Sequence, residues 1–178
     1  MATFMVDFIN QDFVKNKELY NQIARDLSRK LGNCPINHVG STAIPNMKGK
    51  NIIDILIGAK DDNEFNYFVD IISNIGYFPS SKSKTNIYQF FASSTNETGS
   101  GDIHIHLSII GTDRYEEFLI LRDYLLSHPE EAKKYSDYKK QILADKNVDR
   151  KQYRSIKSTY VSQLIETAKN VLQRELND

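Results

Sequence analysis

The sequence has one cysteine, no tryptophan and no excess of charge of either sign. Cys34 has no second cysteine with which to form an internal disulfide, which excludes the class of small disulfide-rich secreted domains. The 23 basic and 23 acidic side chains cancel, so no overall field attracts nucleic acid or an anionic membrane surface. Any attraction for a phosphate group must therefore be local.

Long apolar runs and a secretory signal are also missing. The longest apolar stretches are short, such as residues 52 to 57, whereas a membrane-spanning helix needs roughly 20 apolar residues. The N-terminus lacks the basic segment and apolar stretch of a signal peptide. We therefore expect a cytoplasmic protein without a membrane partner. A length of 178 residues, 40% of them hydrophobic, predicts one domain with a normal core.

The spacing of apolar residues predicts an α/β (α+β) fold. In this single domain, 1–178, a small mixed sheet with flanking helices (1–111) precedes a C-terminal helical bundle (112–178). Small polar residues at 93–101 predict a hairpin loop. The predicted strands are 35–39, 50–58, 77–78, 87–92 and 103–109, and the predicted helices are 12–31, 61–76, 113–127, 130–145 and 149–176.

The most informative pattern is Gly40-Ser41 followed by Asp54 inside an apolar run. Glycine allows the backbone to approach a phosphate closely, and the hydroxyls of Ser41 and Thr42 are potential donors. A carboxylate within an apolar strand must be compensated or must serve a function. Two other interpretations stay open: the Gly-Ser pair is an ordinary turn, or Asp54 anchors the neighbouring loop by accepting hydrogen bonds.

The chain resembles the GrpB family over roughly residues 30 to 165. The resemblance implies a nucleotidyltransferase-like α/β fold, but it implies no assigned reaction, so fold and activity are separate questions. The motifs that carry it occur in the family's order: HVGSTAIP from His38, KNIIDILI from Lys50, His104-Ile-His106-Leu107, LRDYLLSHP from Leu121, and Tyr153 with Lys157.

Asp54 is the candidate for binding a divalent metal, because nucleotidyl transfer uses metal to bridge phosphate oxygens. In the full nucleotidyltransferase pattern a second acid stands two residues on, on the same face of the strand. Leu56 occupies that position here. The usual pair of metals therefore cannot be assembled from this strand alone.

His104 and His106 offer a partial substitute, since residues i and i+2 of a strand project from the same face. If their strand neighbours that of Asp54, the three side chains converge as a set of predicted catalytic residues and metal ligands. Mg²⁺ or Mn²⁺ is the expected cofactor, with Zn²⁺ as a further candidate suited to imidazole ligands. The histidines could equally contact a phosphate or a sugar hydroxyl, or act as acid and base without metal.

Four further residues are candidates for ligand binding: Lys50, Arg122, Tyr153 and Lys157. Arginine suits bidentate phosphate contacts and lysine a point contact. For Arg122 the alternative is a surface ion pair with the adjacent Asp123. The lysines of 133–157 are interleaved with acids, as is typical of solvated helices, so nucleic acid is not the expected partner.

Together these residues predict a metal-dependent nucleotidyltransferase that acts on a small-molecule acceptor. In this scheme Gly40 and Ser41 hold the triphosphate. Leu56 favours the alternative, a non-catalytic module that binds a nucleotide or a coenzyme A-like phosphate. In both cases the expected partner is a nucleotide or another phosphorylated small molecule.

Overall fold

Five strands form one mixed sheet in the computed structural model, which describes residues 9–93, 102–145 and 147–175. A separate two-stranded sheet pairs two short segments of the chain. In chain order the elements are β1 (Ile9–Asn10), α1 (Phe13–Leu31), β2 (Ile36–Val39), β3 (Lys48–Gly49), β4 (Ile53–Ala59), α2 (Asp62–Asn74), β5 (Tyr77–Lys84), β6 (Tyr88–Ser93), β7 (Ile103–Ile109), α3 (Asp113–Ser127), α4 (Pro129–Ala144) and α5 (Arg150–Glu175).

The predicted mixed α/β class is confirmed, and the helices begin and end within two residues of their predicted bounds. Strand β4 begins at Ile53 rather than at Lys50. The reason is a turn: the Lys50 carbonyl accepts from the Ile52 amide at 2.8 Å and also from the Gln11 side chain. Strand β5 is longer than predicted, and the pairing of β1 with β3 was not predicted. The predicted loop at 93–101 falls, except for Ser93, outside the described residues.

The order of strands in the main sheet is β2-β4-β7-β6-β5. Strands β4 and β7 are parallel, and the other neighbours are antiparallel. The register of the parallel pair sets Asp54 beside His104 and Leu56 beside His106. Because side chains alternate between the two faces of a strand, these four residues share one face of the sheet.

The opposite face of the sheet carries the main hydrophobic core. Ile55 and Ile57 on β4 are fully buried there, and helices α1 and α2 cover them with residues such as Leu27 and Phe68. Helix α1 begins after Asp12, whose side chain accepts from the Lys15 amide. This packing fixes which face of β4 remains for Asp54.

A second cluster joins the helical bundle to the chain that follows the Gly-Ser turn. Ile44 and Met47 pack into it, and the bundle contributes Tyr124, Leu125, Ala132, Tyr135, Leu164 and Ala168. The bundle is thereby held against the same side of the molecule as the turn. Among the described helices, none is long and apolar enough to cross a membrane.

Phe68 and its neighbour Tyr67 provide a matched test of this core. Phe68 is 1% exposed and Tyr67 is 59% exposed. We expect Phe68→Ala to lower the free energy of unfolding by about 3–5 kcal/mol, because it leaves a cavity under the sheet. Tyr67→Ala should change it by less than about 0.5 kcal/mol. Urea denaturation followed by circular dichroism measures both, and equal losses would contradict this packing.

Candidate functional site

The Gly40 backbone lies directly against the Asp54 carboxylate. A Cβ atom at Gly40 would overlap Asp54 Oδ2 and would lie 2.9 Å from both Cβ and Cγ of Asp54. Gly40 also has φ 72°, a conformation that side-chain-bearing residues rarely adopt. Glycine is required here for two independent reasons. The Gly-Ser turn and the carboxylate therefore form one site.

Ser41 is oriented by a residue far away in the sequence. The Gln11 side-chain amide donates to Ser41 Oγ at 3.2 Å and to the Lys50 carbonyl. Since Oγ accepts this bond, the hydroxyl proton of Ser41 can be donated to another acceptor. The β3 backbone packs on the same hydroxyl, because a Cβ at Gly49 would lie 2.9 Å from Ser41 Oγ. Lys50, half-buried, directly follows this contact.

Thr42 has a different position from the one predicted for a phosphate donor. Its hydroxyl donates to the Ile52 carbonyl at 2.9 Å. His38 Nε2 lies 3.0 Å from the hydroxyl oxygen of Thr42. The His38 ring must be the donor in this hydrogen bond, because Thr42 already donates its one hydroxyl proton to Ile52. Thr42 is 1% exposed. The side chain of Thr42 thus stabilises the loop.

His38 supports the loop as a neutral ring. It stacks on Tyr20 with ring centroids 4.6 Å apart. Burial lowers the pKa of His38 to about 4, although the charge of Asp54 opposes the change. His38 is therefore uncharged near neutral pH and holds Thr42 in place.

Asp54 lies between the two predicted histidines. Its Oδ1 is 3.2 Å from His104 Nδ1 and 3.4 Å from His106 Nε2. Burial alone would raise the pKa of Asp54, but the hydrogen bonds from both histidines outweigh it and hold the pKa below its usual range. The carboxylate is therefore ionised and accepts from both rings. Its side chain is 22% exposed, so it remains accessible from solution.

His106 is held by a further residue, Tyr88. Burial lowers the pKa of His106, and the nearby Asp54 only partly reverses this, so the ring is neutral near pH 7. With its proton on Nε2, facing Asp54, His106 accepts at Nδ1 from the Tyr88 hydroxyl, 2.8 Å away. The rings of Phe118 and Phe90 lie 4.5 and 5.4 Å from the His106 ring. The tautomer and the orientation of His106 are thereby set.

The three predicted metal ligands are brought together, but as a hydrogen-bonded cluster. Both imidazoles are directed at the same carboxylate oxygen. Within residues 9–93, 102–145 and 147–175, no group of three or more His, Cys, Asp or Glu side chains is arranged to hold a metal ion. Asp54, His104 and His106 as arranged do not fit a preformed metal centre, and metal binding stays a prediction. Leu56, in the position of the missing second acid, is buried with Val39 and Tyr115.

The charge of Asp54 acts on two lysines of the helical bundle. Lys157 on α5 was predicted: burial lowers its pKa, and the charge of Asp54 acts in the opposite direction. Lys139 on α4 was not predicted. Its Nζ donates to the Lys48 carbonyl at 2.6 Å, and the residue is 4% exposed. Burial and the charge of Lys157 lower the pKa of Lys139 to about 7, whereas Asp54 raises it.

Tyr153 lies on the same side of the bundle. It is buried, as Tyr135 is, and burial raises the pKa of both phenols. Tyr135 in turn lies beneath Lys139, with Nζ 4.6 Å from the ring centroid. The predicted Tyr153 and Lys157 are four residues apart on α5 and share one face of that helix. We call Gly40, Ser41, Asp54, His104, His106, Lys139 and Lys157 the Asp54 site.

Arg122 pairs with its neighbour in the sequence, and its role in ligand binding stays a prediction. Its guanidinium forms a bidentate ion pair with Asp123, at 2.7 and 3.1 Å, and a longer bond to Asn37 Oδ1 at 3.4 Å. These partners hold it at the edge strand β2, in a groove of about 430 Å³ that Phe13 and Tyr20 also line. The ion pair considered as the alternative is therefore formed, and Arg122 does not join the Asp54 site.

Comparison with known proteins agrees with the sequence motifs. A family model described as GrpB protein matches residues 11–167. The chain belongs to the GrpB family. It is 34% identical over 134 residues to the UPF0157 protein YqkA of Bacillus subtilis. The aligned residues make up 75% of this chain but only 38% of YqkA.

The fold is that of a solved GrpB structure. The crystal structure of conserved protein GrpB from Enterococcus faecalis matches with a TM-score of 0.75 at 21% identity, over 90% of this chain and 95% of that chain. A much weaker match, with a TM-score of 0.42 and 12% identity, is the Cid1 poly(U) polymerase, over 71% of this chain and 44% of that chain. The GrpB resemblance inferred from the motifs is confirmed.

Sequence reasoning missed two residues near the site, Lys139 and Gln11. The sequence pattern indicated the first of them but not the second. Lys139 stands at helical spacing with the buried Ala132, Tyr135 and Ser136, so a lysine on the apolar face of α4 was visible in the pattern. Gln11 left no such signal, because it reaches Ser41 across 30 residues.

Gly40→Ala and Gly32→Ala provide a paired test of the contact between the Gly40-Ser41 turn and the Asp54 carboxylate. Gly32 also has a positive φ, 82°, but a Cβ there would meet nothing within 4 Å. Gly32→Ala should therefore cost only the backbone strain, about 1–3 kcal/mol. Gly40→Ala should cost more, because Asp54 must also move. Urea denaturation of both variants gives the difference, and equal losses would show that the contact with Asp54 is not tight.

The neutral His38 predicts a loss of stability in mild acid. Its pKa is about 4 in the folded protein against an ordinary value of 6.5, so the unfolded chain binds a proton first as the pH falls. The stability that the neutral His38 ring contributes to the folded protein is fully present above about pH 6.5 and is lost as the pH falls towards about 4. We expect His38→Gln, whose amide can still donate to Thr42, to reduce the pH dependence of the unfolding free energy in that window. If the unfolding free energies of the wild type and the variant changed with pH in the same way, this prediction would be contradicted.

Proposed function

We propose that the Asp54 site binds a nucleotide or another phosphorylated small molecule. The observation that carries the proposal is the close contact of the Gly40-Ser41 turn with the Asp54 carboxylate, whose charge also acts on the buried Lys139 and the half-buried Lys157. Ammonium groups and main-chain amides of a tight turn are the usual partners of phosphate oxygens. Charges in a half-buried position act more strongly than the same charges in water.

Ser41 adds a hydrogen-bond donor to this arrangement. Because Gln11 donates to its oxygen, the hydroxyl proton is left for an acceptor, which an anionic oxygen would be. The turn with Ser41 directly follows β2, and the two lysines on which the charge of Asp54 acts belong to α4 and α5. This combination favours a compact ligand with a concentrated negative charge.

A small molecule is favoured over nucleic acid by the way the other lysines of α4 are used. Lys133 pairs with Asp137 at 2.7 Å, and Lys134 pairs with Glu131 at 2.6 Å. Such pairs leave no basic stripe on this helix for a phosphate backbone. We retain the expectation of a cytoplasmic location, where nucleotides and coenzyme A-like compounds are available.

Nucleotidyl transfer to a small-molecule acceptor is the second candidate, and the ionised state of Asp54 favours it. Such transfer uses a divalent metal to screen charge at the reacting phosphorus. Magnesium is commonly held by one or two carboxylates together with the phosphates of the substrate. Since the site does not fit a preformed metal centre, we assign no step to a metal and expect any metal effect to require nucleotide.

Calorimetric titration tests the proposal. Metal-stripped protein is titrated with ATP, CTP, GTP, UTP and coenzyme A, each alone and with Mg²⁺, Mn²⁺ or Zn²⁺. We expect at least one of these compounds to bind, and Lys157→Met to weaken that binding by about 10- to 100-fold, the effect of losing one hydrogen bond to a charged group. Asp70→Asn, on the exposed surface of α2, is the control and should leave binding unchanged.

Asp54→Asn then separates the two candidates. If a metal increases nucleotide affinity and Asp54→Asn removes only that increase, the carboxylate contacts the metal–nucleotide complex, and release of pyrophosphate should be sought with candidate acceptors. Binding that is independent of metal and of Asp54 favours the non-catalytic module. Absence of binding for all compounds in all conditions contradicts the proposal.

A further inference from the structure

A groove of about 430 Å³ lies at the edge of the main sheet, away from the side chains of the Asp54 site. It is lined by the N-terminal half of α1, by the edge strand β2 and by the C-terminal half of α3. Sites for small molecules typically have volumes of roughly 300–1,000 Å³, so the groove is large enough for a compact ligand. None of its lining residues belongs to the Asp54 site.

The lining of the groove is partly aromatic. Tyr20 of α1 and His38 of β2 stack in parallel, with ring centroids 4.6 Å apart and an angle of 8° between the ring planes. Phe13 and Leu126 add apolar surface, and Leu126 is 45% exposed. A flat ring can extend such a stack, because aromatic rings prefer offset parallel or edge-to-face contacts. The apolar part of the groove therefore favours an aromatic group.

Arg122 supplies a guanidinium group whose contacts within the groove are weak. Its Nη1 lies 3.4 Å from Asn37 Oδ1 and 3.5 Å from the His38 carbonyl oxygen. Charged hydrogen bonds are usually shorter, about 2.7–2.9 Å. Nε and Nη2 pair with Asp123, which is 59% exposed, and a pair so open to water adds little stability. A stronger acceptor in the groove can replace these contacts.

The charges of the lining favour an anion. Lys17 and Arg122 are cationic, and Asp123 is the acid among the lining residues. Lys17 is exposed, and its Nζ lies 6.0 Å from the centroid of the Phe13 ring. His38 is neutral near pH 7, because burial lowers its pKa to about 4. The groove therefore has an excess of one positive charge, which suits a ligand with a single negative charge.

We propose that the groove between α1, β2 and α3 is a second ligand site and that it binds an aromatic carboxylate. The ring of the ligand extends the stack of Tyr20 and His38. The carboxylate takes the place of Asp123 on the fork of Arg122, and Asp123 turns to solvent. The proposal is independent of the proposed function of the Asp54 site, because the two sites have no side chain in common.

A carboxylate fits this arginine better than a phosphate dianion. Arg122 already holds the carboxylate of Asp123 in bidentate geometry, at 2.7 and 3.1 Å, so the guanidinium is oriented for a group of this shape. A dianion would exceed the single positive charge of the lining and would be repelled by Asp123.

A small molecule is favoured over an added peptide strand by the way the edge of β2 is capped. Strand addition uses the main-chain groups on the outer edge of a sheet. The Ile36 carbonyl accepts from the Tyr20 hydroxyl at 2.8 Å, and the His38 carbonyl accepts from Arg122 at 3.5 Å. Side chains that cap an edge strand oppose its pairing with another chain. A small ligand leaves the bond between Tyr20 and Ile36 intact.

Three probe compounds test the proposed chemistry: naphthoate, the neutral naphthamide and the saturated decalin carboxylate. Each is titrated into the full chain, and the methyl signals of Ala43 and Leu126 in the groove are followed by NMR. Naphthoate should shift both signals in a saturable way. Naphthamide should bind at least about tenfold more weakly, because it loses hydrogen bonds to a charged group. Decalin carboxylate should bind about two- to tenfold more weakly, because it cannot stack.

Two variants with opposite expected effects identify the guanidinium. Arg122→Gln should weaken naphthoate binding at least about tenfold, since it removes the charged donor. Asp123→Asn should strengthen binding about two- to fivefold, because it removes the competing carboxylate of an exposed ion pair. Arg29→Gln removes an arginine that also pairs with an acid of its own helix, Asp26, and should leave binding unchanged. Thermal unfolding of each variant shows whether the fold is retained.

Several results would overturn the proposal. Naphthoate fails to bind, naphthamide binds as tightly as naphthoate, or the shifted methyl signals lie outside the groove while those of Ala43 and Leu126 stay unchanged. Affinity changes of the same sign in Arg122→Gln and Asp123→Asn would also overturn it, because they would show that the ion pair has a structural role instead. The comparison of naphthoate with naphthamide needs no variant, so it decides the question even if Arg122→Gln is unstable.

Discussion

The negative charge of a carboxylate on an otherwise apolar strand must be compensated by nearby hydrogen-bond donors. The organisation of this site follows from how the charge of Asp54 is compensated. Its neighbours Ile53 and Ile55 are buried in the main core, at 1% and 0% exposure, so β4 cannot rotate to expose the acid further. Compensation comes from β7, whose parallel register sets His104 beside Asp54 and His106 two residue pairs further along. A shift of this register by one residue would turn both imidazoles to the opposite face. Gly40 completes the arrangement, because only a residue without Cβ lets the turn reach the carboxylate.

The sheet provides the negative charge of the site, and the helical bundle provides the positive charge. This division depends on how α4 holds the short strand β3. Ser136 Oγ accepts from the Lys48 amide at 3.1 Å, and Lys139 Nζ donates to the Lys48 carbonyl at 2.6 Å. Both polar main-chain groups of Lys48 are thus bound by one helix. The next residue, Gly49, packs on the Ser41 hydroxyl. The bundle therefore positions the Gly-Ser turn as well as the lysines, and the two halves of the site cannot move independently.

The parts of the site that the sequence predicted are those that follow from local geometry. Alternation along a strand places His104 and His106 on one face, and a tight turn between two strands calls for glycine. For Arg122 the sequence left two partners open, because a long side chain reaches several groups, and the structure shows the ion pair with Asp123. Gln11 was missed because β1 and β3 contain only two residues each, too few for a pattern, although their pairing brings residues 30 apart into contact. Lys139 was missed although helical spacing placed it on the apolar face of α4, because its neighbours Lys133 and Lys134 are surface lysines that pair with acids.

Leu56 has a consequence beyond the loss of a metal ligand. It is fully buried in an apolar cluster with Val39 and Tyr115, so a carboxylate there would have to be compensated in the same low-dielectric surroundings. With a second acid, the two lysines would face two negative charges, and the site would be close to neutral without a ligand. With leucine, the acid whose charge reaches both Lys139 and Lys157 is Asp54. Under the proposed function, one acid whose charge acts on two lysines favours an anionic ligand over a pair of cations at the Asp54 site.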